Sequence, residues 1–303
     1  VAITTQDIKN LKGQGVLINR NTEQFSARVI TENGVMSSSE MDVLQKAAAK
    51  YGNGQLAMTG RMTIEVPGIP FEEVSNFQKF IAQAGLETGG TGPIVRPITS
   101  CKGSTCIFGL YDTQALAKKI HDEYYAKYHA VKLPHKFKIA VGGCPNNCVK
   151  PDLNDFGIIG QRFFELKDCK DCKVCQVVEK CPMHAVSRDE NNELIWDEDI
   201  CNNCGRCISN CTFNKISETK TMYKVVIGGR WGKKTRLATT VPGYFNEEQL
   251  FALIEKTLLF FKDRGNRGER LAEVIDRIGE DEVFKMLLSD EILERKEEII
   301  NLY

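Results

Sequence analysis

No stretch of this sequence approaches the roughly 20 consecutive apolar residues that a membrane-spanning helix needs. The opening VAITTQDIKN lacks the charged-then-apolar pattern of a secretory signal. Neither sign of charge predominates: Lys plus Arg number 40 and Asp plus Glu number 40, so no global field draws the chain to nucleic acid or to an anionic membrane. Any basic site must be local. A nicotinamide fingerprint is also missing, since neither GGTGP nor GGRWG supplies G-x-G-x-x-G between a strand and a helix. These absences predict a cytoplasmic protein with no nucleic-acid or membrane partner and no nicotinamide site of its own.

What the chain has in excess is cysteine. Its 303 residues are 42% hydrophobic, an ordinary globular composition that allows two or three compact units. It also carries 12 cysteines, and in a reduced cytosol these are not expected to form disulfides. They read as metal ligands, in three groups of four that suit three cubane clusters: Cys101, Cys106, Cys144 and Cys148; Cys169, Cys172, Cys175 and Cys181; Cys201, Cys204, Cys207 and Cys211.

Hydrophobic periodicity predicts an α+β chain. FSARVITENGV and GQLAMTGRMTIEVPG alternate as half-buried strands do, and SSSEMDVLQKAAAKYG is a serine-capped helix closed by Gly52. PFEEVSNFQKFIAQAG reads as a second helix with Pro70 at its start and Gly85 at its end. Residues 1–87 thus form an α+β half-domain. Residues 88–164 and 217–303 form a second domain ending in helices, with the strand pattern after the insert resuming at MYKVVIGGRWG. Between them, 165–216 is a cysteine-dense module placed in a loop, where insertions are tolerated.

The insert reads CKDCKVCQVVEKCP followed by CNNCGRCISNC. In the ferredoxin pattern three closely spaced cysteines hold one cube and the fourth comes from the other half of the repeat. Cys169, Cys172, Cys175 and Cys211 form one set on this rule; Cys201, Cys204, Cys207 and Cys181 form the other. Zinc ribbons also use C-x2-C, but not repeated triplets of it. The gap between Cys175 and Cys181 holds five residues where three are usual, which lengthens a loop and keeps the Cys181-Pro182 ending. The four cysteines left over, in CKGSTC and VGGCPNNC, stand beside glycines and polar residues instead of in an apolar pattern, and form a third four-thiolate site.

The combination of CKGSTC and GGCPNNC with TGRMTIEV, LPHKFKIAV and VVIGGRWG resembles the siroheme-dependent sulfite and nitrite reductases, over about residues 20 to 235. With its ferredoxin module the chain resembles especially the siroheme-holding chain of anaerobic sulfite reductase. The resemblance implies sulfite/nitrite reductase-type half-domains with an inserted ferredoxin domain. It implies siroheme and three [4Fe-4S] clusters, with Cys148 bridging the upstream cube to the siroheme iron. Arg28 and Arg96 match substrate-side arginines, and Arg61 matches a residue used around the siroheme carboxylates. Thr59, Glu65, Asn146 and Arg230 are further cofactor-side candidates.

Lys136 and Lys138 alternate with Phe137 and Ile139 on a strand that runs toward Cys144, so both ammonium groups face one side. With the arginines they would bind an oxyanion and its developing charge. The implied reaction is the six-electron reduction of sulfite to sulfide; these motifs do not separate it from reduction of nitrite to ammonium. Electrons would come from flavin and iron-sulfur subunits or from a ferredoxin. CKGSTC has four residues between its cysteines where many family members have five. Larger members hold two copies of the half-domain arrangement where this chain holds one, so the second half is expected from a homodimer or a related partner chain, or is dispensed with; self-association is the favoured reading. The competing reading is a polyferredoxin electron carrier without siroheme.

Overall fold

Two capping boxes start the chain's first long helices. Thr4 and Asp7 exchange hydrogen bonds ahead of α1 (Thr5–Gly13), and Ser37 and Glu40 do so ahead of α2 (Ser38–Tyr51). The structure, a computed structural model, describes residues 3–167, 169 and 172–302. The strands in chain order are β1 (Val16–Ile18), β2 (Gln24–Val29), β3 (Ala57–Met58), β4 (Ile64–Pro70), β5 (Thr99–Ser100), β6 (Ile139–Gly142), β7 (Phe156–Leu166), β8 (Val186–Arg188), β9 (Leu194–Trp196), β10 (Ile216–Ile227) and β11 (Thr239–Thr240). The remaining helices are α3 (Val74–Ala82), α4 (Thr113–Ile120), α5 (Gln176–Glu179), α6 (Arg206–Asn210), α7 (Glu247–Arg264), α8 (Leu271–Ile278), α9 (Glu280–Leu288), α10 (Glu291–Glu294) and α11 (Lys296–Ile300). No helix among the described residues is long and apolar enough to cross a membrane.

By its internal contacts the chain divides into two compact units. The first comprises Val1–Thr99, Ala115–Ala140 and Glu255–Tyr303; the second comprises Ser100–Gln114 and Val141–Ile254. The inserted cysteine module therefore belongs with the upstream cysteines, and the C-terminal helices belong with the N-terminal half-domain.

In the first unit β1-β2-β4-β3 form an antiparallel sheet. Its apolar face (Phe25, Ala27, Val29, Ile64, Val66 and Ile69) packs with Leu44, Ala47 and Ala48 of α2 and Val74, Phe77 and Ile81 of α3. Pro70 is not the first helical residue: it ends β4 with φ −61° and ψ 150°, and a 3-10 turn over Phe71–Glu73 precedes α3. The proline ring fixes a φ that an extended residue accepts as readily as a helical one. Phe77 is fully buried, with its ring edge-on to Tyr51. Phe77→Ala should cost about 3–5 kcal/mol, seen as a lowered urea midpoint.

The helix beginning at α4 widens into a π-helical stretch, His121–Ala126, that buries Tyr124 and Tyr125. Tyr128 donates from its hydroxyl to Glu255 Oε1 at 2.5 Å, and the buried Lys262 ammonium donates to the carbonyls of Lys132, at 3.0 Å, and Leu302, at 2.5 Å. His121 stacks on Tyr125 with ring centroids 4.7 Å apart, and its buried Nδ1 has no hydrogen-bond partner among the described residues. Burial depresses its pKa, partly opposed by Asp122 and Glu87. The unfolded imidazole therefore takes up protons first, so stability is complete above its ordinary value near 6.5 and is lost as pH falls below it toward the folded value. The urea midpoint should drop between pH 7.5 and 5.5, and His121→Phe, which keeps the ring but cannot titrate, should drop less.

The second sheet runs β11-β10-β7-β6-β5. Its backbone is the long antiparallel ladder of β7 with β10, from Phe156↔Ile227 to Leu166↔Ile216. The strand pattern thus resumes at Ile216, ahead of the MYKVV run, because the first residues of β10 are mostly exposed and carry no apolar alternation. At that end of the ladder the inserted segment builds a small core from Val177, Val186, Leu194 and Ile216. Its internal repeat is visible in the backbone: three residues beyond Cys181 and Cys211, His184 and Asn214 adopt left-handed φ of 52° and 51°. Each donates its N–H to the carbonyl of that cysteine.

Candidate functional site

In the second unit β6 runs straight into Gly143 and Cys144, while Cys101 follows β5 directly. The Cys101 N–H donates to the carbonyl of Val141, and the Gly143 N–H donates to Cys101 Sγ at 3.2 Å. A Cβ at Gly143 would stand 2.9 Å from Thr113 Cγ2 and 3.3 Å from Cys101 Sγ, so glycine is needed for this close approach. Burial pushes the Cys144 thiol up; the Asn146 N–H opposes this, and Cys101, Cys148 and Cys106 add to it. The four upstream cysteines are thus near enough to feel one another's charge. Cys148 is exposed and the other three are half-buried. It lies in a tight reversal in which Asn147 and Lys150 both take φ of 53°, and Asn147 Nδ2 donates to Asp152 Oδ2 at 2.8 Å.

The insert gathers its eight cysteines in the two sets expected from the ferredoxin rule. Cys169, Cys172, Cys175 and Cys211 line one small cavity; Cys181, Cys201, Cys204 and Cys207 line another. Burial raises Cys169, with Arg188 opposing and Cys175, Cys172 and Cys211 adding. Burial likewise raises Cys201, with Cys204 and Cys181 adding, and pushes Cys207 up to about 12. Sulfur atoms in these sets accept backbone hydrogen bonds, as Cys211 does from Lys215 at 3.3 Å, which is the environment a thiolate ligand requires. The raised thiols of Cys144, Cys169, Cys201 and Cys207 resist ionising unless a bound cation supplies compensating charge. Among the described residues no three His, Cys, Asp or Glu side chains sit close enough for a single ion. A four-iron cube, which takes one thiolate at each iron, asks for wider spacing. With four thiols each, the sets match a cube in the number and kind of donors.

A cavity of about 370 Å³ is lined on one side by Cys144, Asn146 and Phe108, and on another by Cys204, Arg162 and Arg206. The Arg206 guanidinium lies 4.6 Å from the centroid of the Phe108 ring. One cysteine of the upstream set, Cys144, and one of the insert, Cys204, therefore line the same cavity, while the Cys169 set lines a separate one.

In the first unit the candidate cations form their own constellation. Arg28 donates Nε and Nη2 to Glu65 Oε1 at 2.9 and 2.5 Å, pairing two residues that the sequence marks separately. Arg96 donates Nη1 to the carbonyl of Gly90 at 2.5 Å, and Arg28 Nη1 reaches the same carbonyl at 3.4 Å. Arg61 donates to the carbonyls of Pro97, at 2.7 Å, and Ile139, at 3.1 Å. Thr59 shares a 2.6 Å hydroxyl contact with Thr63.

Lys136 and Lys138 are half-buried and alternate with the buried Phe137 and Ile139, as the sequence pattern requires. The regular strand begins only at Ile139; ahead of it, Phe137 forms a single parallel bridge with Val95. Arg230 belongs to the second unit, where its backbone exchanges hydrogen bonds with that of Arg236.

Sequence reading misses three supports of the upstream cysteines. Thr113 donates its hydroxyl to the Cys101 carbonyl at 2.7 Å, and Tyr111 donates to the Gly142 carbonyl at 2.9 Å. Burial pushes the Tyr111 phenol well up, and the nearby Tyr223, Cys101 and Cys144 add to the shift. Gly160 lets Tyr111 in, since a Cβ there would lie 2.7 Å from Tyr111 Cε1. None of these residues carries a motif.

The family model described as the nitrite and sulphite reductase 4Fe-4S domain matches residues 91–296, and that of the nitrite/sulfite reductase ferredoxin-like half domain matches 18–84. The chain is 32% identical over 244 residues to the coenzyme F420-dependent sulfite reductase of Methanocaldococcus jannaschii, a match covering 79% of this chain and 38% of that protein. It is 28% identical over 234 residues to one chain of the anaerobic sulfite reductase of Salmonella typhimurium, covering 71% of this chain and 67% of that one. The crystal structure of dissimilatory sulfite reductase I matches in fold with a TM-score of 0.71 at 20% identity, covering 87% of this chain and 69% of that one.

Proposed function

The chain belongs to the nitrite and sulphite reductase family, and on that premise we propose that it is the siroheme-holding chain of a sulfite reductase that forms sulfide. The observation that carries the reading is the convergence of Cys101, Cys106, Cys144 and Cys148 at the ends of β5 and β6, with Cys148 alone exposed among them. Those four thiolates would hold a cube, and Cys148, the exposed residue among them, would be the one to contact a siroheme. The two sets in the insert would hold a cube each. When bound, these groups supply the reducible iron and the electron path to it.

The chain's own residues supply the rest. Lys136 and Lys138, on one side of the segment that leads into β6, would bind the oxyanion and deliver protons to the oxygens it sheds. Arg28 and Arg96, tied to one carbonyl, would hold a second side of the anion, and Arg61 would steady the siroheme carboxylates. Thr59, Glu65, Asn146 and Arg230 would complete the cofactor's surroundings. Cys204 and Cys144 face one cavity, which supports the Cys181, Cys201, Cys204 and Cys207 set as the neighbour of the upstream set. Reducing equivalents would come from a separate flavin and iron-sulfur protein or a ferredoxin.

Acid-solvent extraction of the anaerobically purified protein tests the cofactor assignment. A tetrapyrrole with strong visible bands, in a fixed ratio to chain, is expected. A broad brown absorbance with nothing extractable would leave a polyferredoxin instead.

A further inference from the structure

Gly90 is the hinge on which the two candidate oxyanion arginines meet. Its carbonyl receives Arg96 Nη1 at 2.5 Å and Arg28 Nη1 at 3.4 Å. Its φ of +72° is left-handed, and a Cβ there would stand 2.8 Å from Pro97 Cγ, so only glycine turns this carbonyl toward the guanidinium groups. The opposite side of the same residue is held by one contact: the Gly90 N–H donates to the phenol oxygen of Tyr125 at 3.1 Å.

Tyr125 is fully buried and belongs to the π-helical stretch His121–Ala126, a conformation frequent at functional sites. Its ring is clamped by His121 and by His129, whose centroid is 5.8 Å away. The preceding glycine is also shaped around the phenol, since a Cβ at Gly89 would lie 2.6 Å from the tyrosine oxygen.

We infer that Tyr125 is a positioning residue for the oxyanion site: its phenol oxygen fixes Gly90, and Gly90 in turn fixes the guanidinium groups of Arg96 and Arg28. The inference rests on the reading of those arginines as anion-binding given above. The phenol is suited to the role because it stays neutral: burial pushes its pKa up to about 12, while the Gly90 N–H and Arg96 act in the other direction. A tyrosine that served only to fill space would lose nothing essential on conversion to phenylalanine. Here the conversion strands a buried N–H and frees the carbonyl on which both arginines rest.

The test is Tyr125→Phe in the full, cofactor-loaded chain, assayed with sulfite and a reduced viologen, together with hydrogen exchange at the Gly90 amide. KM for sulfite should rise about tenfold, the effect of one lost buried hydrogen bond, with a smaller change in kcat. Gly90 exchange should accelerate. Gly89→Ala, which displaces the phenol without removing it, should raise KM in the same direction. Arg96→Gln should raise KM by itself, and adding Tyr125→Phe to it should raise KM by clearly less than Tyr125→Phe does alone, because the tyrosine then acts through Arg28 only. An unchanged KM or unchanged Gly90 exchange in Tyr125→Phe, with Arg96→Gln impaired, overturns the role of Tyr125 alone, as does a double variant whose effects simply multiply. An unchanged KM in both Arg96→Gln and Arg28→Gln overturns the oxyanion reading, and this inference with it.

Discussion

Exchanging Cys148 for serine should abolish the siroheme bands and remove one cluster's share of iron, while the iron of the insert should stay. Serine is nearly isosteric but holds its proton at any working pH, and a hydroxyl is a poor substitute for a soft thiolate at iron. The upstream set would lose one of its four proposed ligands, Cys148, the one exposed residue among them. The insert's cysteines line their own cavities and should load normally, which gives the experiment an internal standard. Cys169→Ser is the converse: it should lower iron content and leave the siroheme spectrum in place. Visible absorption and iron per chain read both. An unchanged spectrum in Cys148→Ser would mean that another residue carries the bridge.

The second large effect is expected at Lys138. Lys138→Met keeps the length and apolar stem of the side chain and removes only the ammonium group. Turnover with sulfite should fall about 10²–10³-fold, the usual consequence of deleting one group that stabilises charge at the reacting atoms, with the visible spectrum intact. Lys46→Met provides the comparison. Lys46 is an exposed cation of α2 paired with Asp42 at 2.5 Å, and such pairs contribute little, so turnover should stay within about twofold. Normal turnover in Lys138→Met would remove that lysine from the mechanism.

The parts of this account that are legible in the sequence are those whose chemistry is periodic or spaced. The triplets of the insert, read with the ferredoxin rule that crosses the fourth ligand, define two thiolate sets, and the cysteines of each set line one cavity in the structure. Helix α2 is marked at both ends, by Ser37 with Glu40 and by Gly52. Alternation puts Lys136 and Lys138 opposite the buried Phe137 and Ile139. What the sequence hides is whatever depends on contacts between distant segments. The division of the chain into two units is one case, since the C-terminal helices join the N-terminal half-domain through packing that no local pattern announces. The Arg28–Glu65 pair is another, because it depends on the register of β2 against β4, where those two residues stand opposite each other. Pro70 misleads because its φ suits a strand end and a helix start equally. Tyr111, Thr113 and Tyr125 act through single hydroxyls bonded to backbone groups, and nothing in their flanking residues distinguishes them from other buried tyrosines and threonines.

The most direct test of the central claim is product formation by the anaerobically purified protein, reduced with excess viologen and supplied with sulfite or nitrite in parallel. The account predicts sulfide released from sulfite with a higher kcat/KM than ammonium from nitrite. Ammonium formation with the higher kcat/KM, or no sulfide from a chain loaded with siroheme, would contradict it.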